Sequence, residues 1–134
     1  MYRPNPTLGA IPGAAPAMPQ VDPGMHYTYG VEALPLGANA QVARQIQVVN
    51  HSFRANFLVA QSDGAFSCRL RVGDRYLSNI PIHSGNLFGT AANPMPLLVP
   101  ISATKNDIII FELQDLSGAP NNIRIGLIGV ELND

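Results

Sequence analysis

The chain has 134 residues, enough for one domain that buries about two-thirds of its unfolded surface. Charged residues make up only 13% of it, about half the usual share, against 46% hydrophobic, so much of the outer surface is neutral or destined to be covered, as in an assembly subunit. Eight basic and nine acidic residues, scattered to a net charge of -1, leave no electrostatic footprint for nucleic acid or an anionic membrane.

Residues 1–25 read as an extended arm. Pro4, Pro6, Pro12, Pro16, Pro19 and Pro23 interrupt it, with Gly9 and Gly13 between them and Gly24 directly after. Proline fixes φ and removes backbone donors, so this stretch forms neither a helix nor a central strand. Its apolar residues stand at irregular intervals, and Arg3 and Asp22 are its only charges. One reading is a disordered tail. The other is a partner-binding arm, with Tyr2, Leu8, Ile11, Met18 and Val21 as the contact residues, because a stiff extended segment has less entropy to lose on docking.

Residues 26–134 read as one all-β domain, an antiparallel β-sandwich or jelly roll of about eight strands. Strands are expected at 27–34, 41–49, 53–61, 66–72, 76–82, 97–101, 107–114 and 122–132, with Gly, Pro and Asn in the gaps. The clearest is 66–72, where Phe66, Cys68, Leu70 and Val72 alternate with Ser67, Arg69 and Arg71. Ser62-Asp63-Gly64 before it predicts a hairpin with 53–61 as the partner. Ile108-Ile109-Ile110-Phe111 is apolar on both faces and predicts a central strand covered on both sides, either by the second sheet and the arm or by a neighbouring subunit. The loop 82–96 holds Leu87, Phe88 and Met95 in a Gly, Asn and Pro context. They are candidates for contact with a partner, or alternatively Leu87 and Phe88 fold back to plug one end of the sandwich.

Residues capable of chemistry have no partners at a useful spacing. Cys68, the single cysteine, falls on the apolar face of the best strand, where a small core residue is the ordinary reading. Ser62-Asp63 and His83-Ser84 offer the letters of a hydrolase triad without a nucleophile elbow. His26, His51 and His83 are too widely spaced for metal-ligand pairs, and Gly85 to Thr90 lacks the Gly-Lys-Ser/Thr ending of a phosphate loop. Arg69, Arg71 and Arg75, with Asp63 and Asp74 near them, read as a solvated or salt-bridged sheet face. No catalytic residue, cofactor or metal is therefore expected. Met1-Tyr2-Arg3-Pro4 does not open a secretory signal and no window has about 18 apolar residues, so a soluble product made in the cytoplasm is expected.

The order of Gly73 to Ile82, Leu87-Phe88-Gly89-Thr90, the Pro-rich 94–100, Ile108 to Leu116, Ser117-Gly118-Ala119 and Ile123 to Leu132 resembles small structural proteins of tailed bacteriophage virions. The resemblance covers the C-terminal two-thirds of the chain. It implies a particle component, made in the host cytoplasm and located in the virion. Its partners would be the major capsid protein or other virion proteins, and it would itself be a homo-oligomer, a trimer being favoured. The leading expectation is a capsid decoration or cement subunit, and the alternative is a neck, tail or fibre-anchoring component. A carbohydrate-binding jelly roll is a third reading, weakened by the absence of tryptophan.

Overall fold

The computed structural model describes residues 24–132, so nearly all of the predicted arm, with Tyr2, Leu8, Ile11, Met18 and Val21, lies outside the described residues. The strands are β1 (Met25–Leu36), β2 (Gln41–Gln47), β3 (Phe53–Ser62), β4 (Phe66–Val72), β5 (Arg75–Tyr76), β6 (Ile82–His83), β7 (Met95–Ala103), β8 (Ile108–Asp115) and β9 (Asn121–Glu131). A single helical turn, α1 (Ser84–Leu87), follows β6.

Two antiparallel sheets form the sandwich, one in the order β1-β9-β3-β7 and the other β2-β8-β4-β5, with β6 also on β4. The pairs β1 with β9, β2 with β8, β3 with β7 and β4 with β5 and β6 are those of one long antiparallel hairpin, folded over so that successive pairs alternate between sheets. This is the winding of a jelly roll. The expected strand at 76–82 is present only as its two ends, β5 and β6, because the chain leaves the sheet between them.

The predicted 53–61/66–72 hairpin does not form. β3 pairs with β7 and β9 in one sheet, whereas β4 pairs with β8 in the other, so the Ser62–Gly64 turn carries the chain across the sandwich. Both strands need their apolar face inside, and lying in opposite sheets lets Leu58 and Leu70 enter the same core. Alternation along β4 is as expected, with Phe66, Cys68 and Leu70 buried. β8 is central, between β2 and β4, and buries Ile109, Phe111 and Leu113. On its other face, among the described residues, Ile108 and Ile110 are half-buried, Ile110 lying beside Arg71 of the neighbouring strand.

β3 breaks its period at Asn56. The pairing with β9 steps from Ala55 opposite Gly129 to Phe57 opposite Ile128, so Asn56 is the extra residue of a bulge. Phe53, Ala55 and Leu58 consequently all face inward, while Phe57 is turned out. The strands approach so closely there that a Cβ at position 129 would overlap the carbonyl of Arg54, which requires glycine.

One end of the sandwich is closed by a buried polar node. Asn121, fully buried, accepts through Oδ1 from the backbone N–H groups of Asp63 (3.0 Å) and Gly64 (3.1 Å) and donates to the carbonyls of Gly64 and Ala65. It also donates to Asp115 Oδ1 at 3.1 Å. Asp115, itself buried, accepts from the Ser117 hydroxyl (2.6 Å) and from the N–H groups of Asn39, Ser117 and Gly118. The β1–β2, β3–β4 and β8–β9 connections, each of which changes sheet, therefore converge on two side chains.

Replacing Asn121→Ala strands several partly buried backbone groups and leaves Asp115 short of a donor, and chemical denaturation should show a loss of about 2 kcal/mol. The Ser117 hydroxyl above all, helped by the backbone of Asn39 and Ser117 and by the Asn121 amide, holds the Asp115 carboxyl well below the usual carboxylate range. An unfolded Asp titrates near pH ~4, so on acidification the unfolded chain takes up this proton first. The stability from Asp115 is complete above that range and is lost as pH falls through it towards the lower native value. Melting temperatures measured from pH 7 down to pH 2 should drop below about pH 4, and Ser117→Ala, which narrows the gap between the two states, should reduce that drop.

Candidate interaction surface

Cys68, Ser62, Asp63 and His83, among the residues weighed for chemistry, are engaged in structure. Cys68 is fully buried in the core, and burial pushes its thiol up to about 12, with the charge of Glu112 adding to the effect. Such a thiol stays protonated and is no nucleophile. The Ser62 hydroxyl donates to the Gly64 carbonyl, and the Asp63 carboxylate accepts from the backbone and side-chain amides of Asn122, so both stabilise turns. His83 accepts through Nδ1 from the Gly85 N–H and caps α1. Among the described residues no three His, Cys, Asp or Glu side chains gather as a metal site would require. No helix among them is long and apolar enough to cross a membrane.

The loop after α1 lies against the domain. Gly89 donates to the Leu58 carbonyl and accepts from the Ala60 N–H, tying this segment to β3. Phe88, expected either as a contact residue or as a plug, is 8% exposed and packs on Phe66, ring centroids 5.7 Å apart. Leu87 and Met95 are half-buried at the core's margin and keep part of their surface accessible.

The arginine face is more ordered than its sequence implies. Arg69 lies 3.6 Å over the ring of Tyr76 and donates to the Ser78 carbonyl. The Tyr76 hydroxyl donates to Glu112, which also pairs with Arg71 at 3.5 Å. Glu112 thus takes the place expected of Asp63 and Asp74, and it comes from β8, the strand beside β4, rather than from the local turns. A shallow groove of about 400 Å³ runs beside this cluster over the outer face of the sheet, with Gln41, Ser67, Gln114 and Pro81 along it.

A second, apolar cavity of about 490 Å³ opens where the sheets' edges face each other. β7 forms one lip with Leu97, Val99 and Ile101, and Leu70, Val72 and Leu77 form the other. The opening follows from the winding. β7 has nine residues, while the strand facing it is reduced to the two short pieces β5 and β6, so the inner side of β7 has no strand over its middle. Val99 shares the inward side with Leu97, Ile101 and Ala103 and yet is 79% exposed, and Leu98, pointing the other way, is 100% exposed. β7 also bows away from β3 here, since the pairing jumps from Ala55 opposite Ile101 to Phe57 opposite Pro96.

Leu98 and Val99 were legible only as part of a strand at 97–101. The available signal was an unbroken apolar run between Pro96 and Pro100: proline confines a strand to an edge, and an edge strand that is apolar on both faces exposes one of them.

Native protein treated with a thiol reagent at pH 8 should show no labelling of Cys68 on the timescale in which the same chain, unfolded in guanidinium chloride, labels completely. Rapid native labelling would mean that β4 leaves the core readily. The chain matches no protein-family model, no curated protein and no solved structure.

Proposed function

We propose that this chain is a non-enzymatic structural subunit of a tailed-phage particle, a capsid decoration or cement protein that joins neighbouring subunits through its β-domain and its N-terminal arm. The observation that carries this reading is the apolar edge at β7, where Val99 stands exposed at an apolar cavity and Leu98 stands exposed on the other side of the same strand. Exposed apolar groups set together in this way are characteristic of surfaces that bind other proteins. The low charge, the Pro-rich arm and the resemblance of the C-terminal two-thirds to phage structural proteins support the same reading. The groove beside Arg69 and Tyr76 favours the carbohydrate-binding alternative, but the guanidinium already covers the one aromatic ring there.

Quantitative mass spectrometry of purified particles tests the proposal. A copy number comparable with that of the major shell protein is expected. A small fraction of it would move the protein to the neck, tail or fibre attachment, and absence from particles would overturn the virion reading.

A further inference from the structure

We propose that the groove on the outer face of the β2–β8–β4 sheet binds an uncharged saccharide, held by Gln41, Gln114 and Ser67. The groove shares no lining residue with the apolar cavity at β7, so binding here is independent of the assembly role.

The groove follows from the register of the sheet. Gln41 lies opposite Gln114, and Gln114 opposite Ser67, so one row of polar side chains crosses three strands at intervals of about 5 Å. The next row on the same face is Ala43, Glu112 and Arg69. Ser67 and Ala43 are short and their neighbours long. The depression they leave, about 400 Å³, falls within the ~300–1,000 Å³ usual for small-molecule sites.

Its polar groups are not used by the fold. Ser67 is only 7% exposed, although it sits at an outward position of β4, between Gln114 and His83 on the neighbouring strands. Its hydroxyl nevertheless makes no hydrogen bond among the described residues, and the residue lines the groove. Side-chain polar groups buried to this degree nearly always have a partner. The carboxamides of Gln41 and Gln114 are without one as well. Glu112 engages the Tyr76 hydroxyl and Arg71 through Oε2 alone, which leaves Oε1 as an acceptor.

The chemistry of these groups selects the ligand. A hydroxyl and two carboxamides each donate and accept, and the carboxylate oxygen accepts. Arg69 and Glu112, the only charged residues in the lining, cancel, so neither an anion nor a cation is favoured. A sugar matches this set, because its neighbouring hydroxyls donate and accept at closely spaced atoms without charge. Pro81 and Ala43 offer small apolar surfaces to its C–H groups. An extended peptide fits less well: β8 is paired on both sides and has no backbone edge for a strand to join. Arg69 already covers the Tyr76 ring, so recognition is by hydrogen bonding in place of stacking.

The test uses the full-length chain, isotope-labelled for NMR and titrated with uncharged hexoses, N-acetylhexosamines and their disaccharides to high millimolar concentration. At least one sugar should shift the side-chain amide signals of Gln41 and Gln114 and the backbone signal of Ser67 in a saturable way. Ser67→Ala removes a hydroxyl that has no partner in the protein. It should therefore weaken binding of that sugar about tenfold while the melting temperature stays the same or rises. Gln114→Ala should weaken binding comparably, and Val99→Glu, at the other surface, should leave it unchanged. No saturable shift with any sugar of the panel, shifts confined to residues outside the groove, undiminished binding by Ser67→Ala, or equal saturation of the same signals by a Gly-Ser peptide would overturn the proposal.

Discussion

The Asp115–Asn121 pair is the constraint on which the sandwich depends. A jelly roll made from one folded hairpin has to change sheet at nearly every connection, and each crossing leaves backbone amides and carbonyls at an end where no ladder can satisfy them. Here three crossings meet at a single buried site. A carboxylate that only accepts and a carboxamide that accepts and donates divide the exposed groups between them. An apolar pair in their place would leave the N–H groups of Asn39, Asp63 and Gly64 without acceptors, a larger loss than the desolvation of the two side chains.

The same node explains what could and could not be read from the sequence. The alternation along β4 and the apolar run of β8 were legible because each strand's own residues settle which face is inside. The partner of β4 was not. Ser62-Asp63-Gly64 has the chemistry of a hairpin turn, and only Asn121, 57 residues on from Gly64, holds it as a crossing between sheets. The bulge at Asn56 was hidden for a similar reason: strict alternation would have put Phe57 inside, and Gly129 on the facing strand permits the step that puts Leu58 there instead. Phe88 was legible only as a choice between plug and contact, since nothing local tells whether a loop aromatic finds a cavity.

The candidate surface was legible in its ingredients and not in its place. Pro96 and Pro100 bracket an apolar run, but that this run overhangs a gap depends on the facing strand breaking into β5 and β6. The arginine cluster shows the opposite outcome. Charges that look loosely solvated in sequence are held in place, Arg69 over the Tyr76 ring and Arg71 against Glu112.

The winding itself has a temporal consequence. β4 and β5 meet across the tight turn at Gly73, but Met25 lies opposite Glu131, so the outermost pair closes nearly the whole described chain into one loop. Contacts between distant residues bring their stabilisation only after the loop entropy has been lost, which makes such topologies slow to fold. β1 is therefore the strand whose register requires almost everything else to be present, and it is also the strand from which the arm departs. A chain wound this way fixes Gly24, the residue that joins the preceding segment to the domain, only as the domain itself is completed.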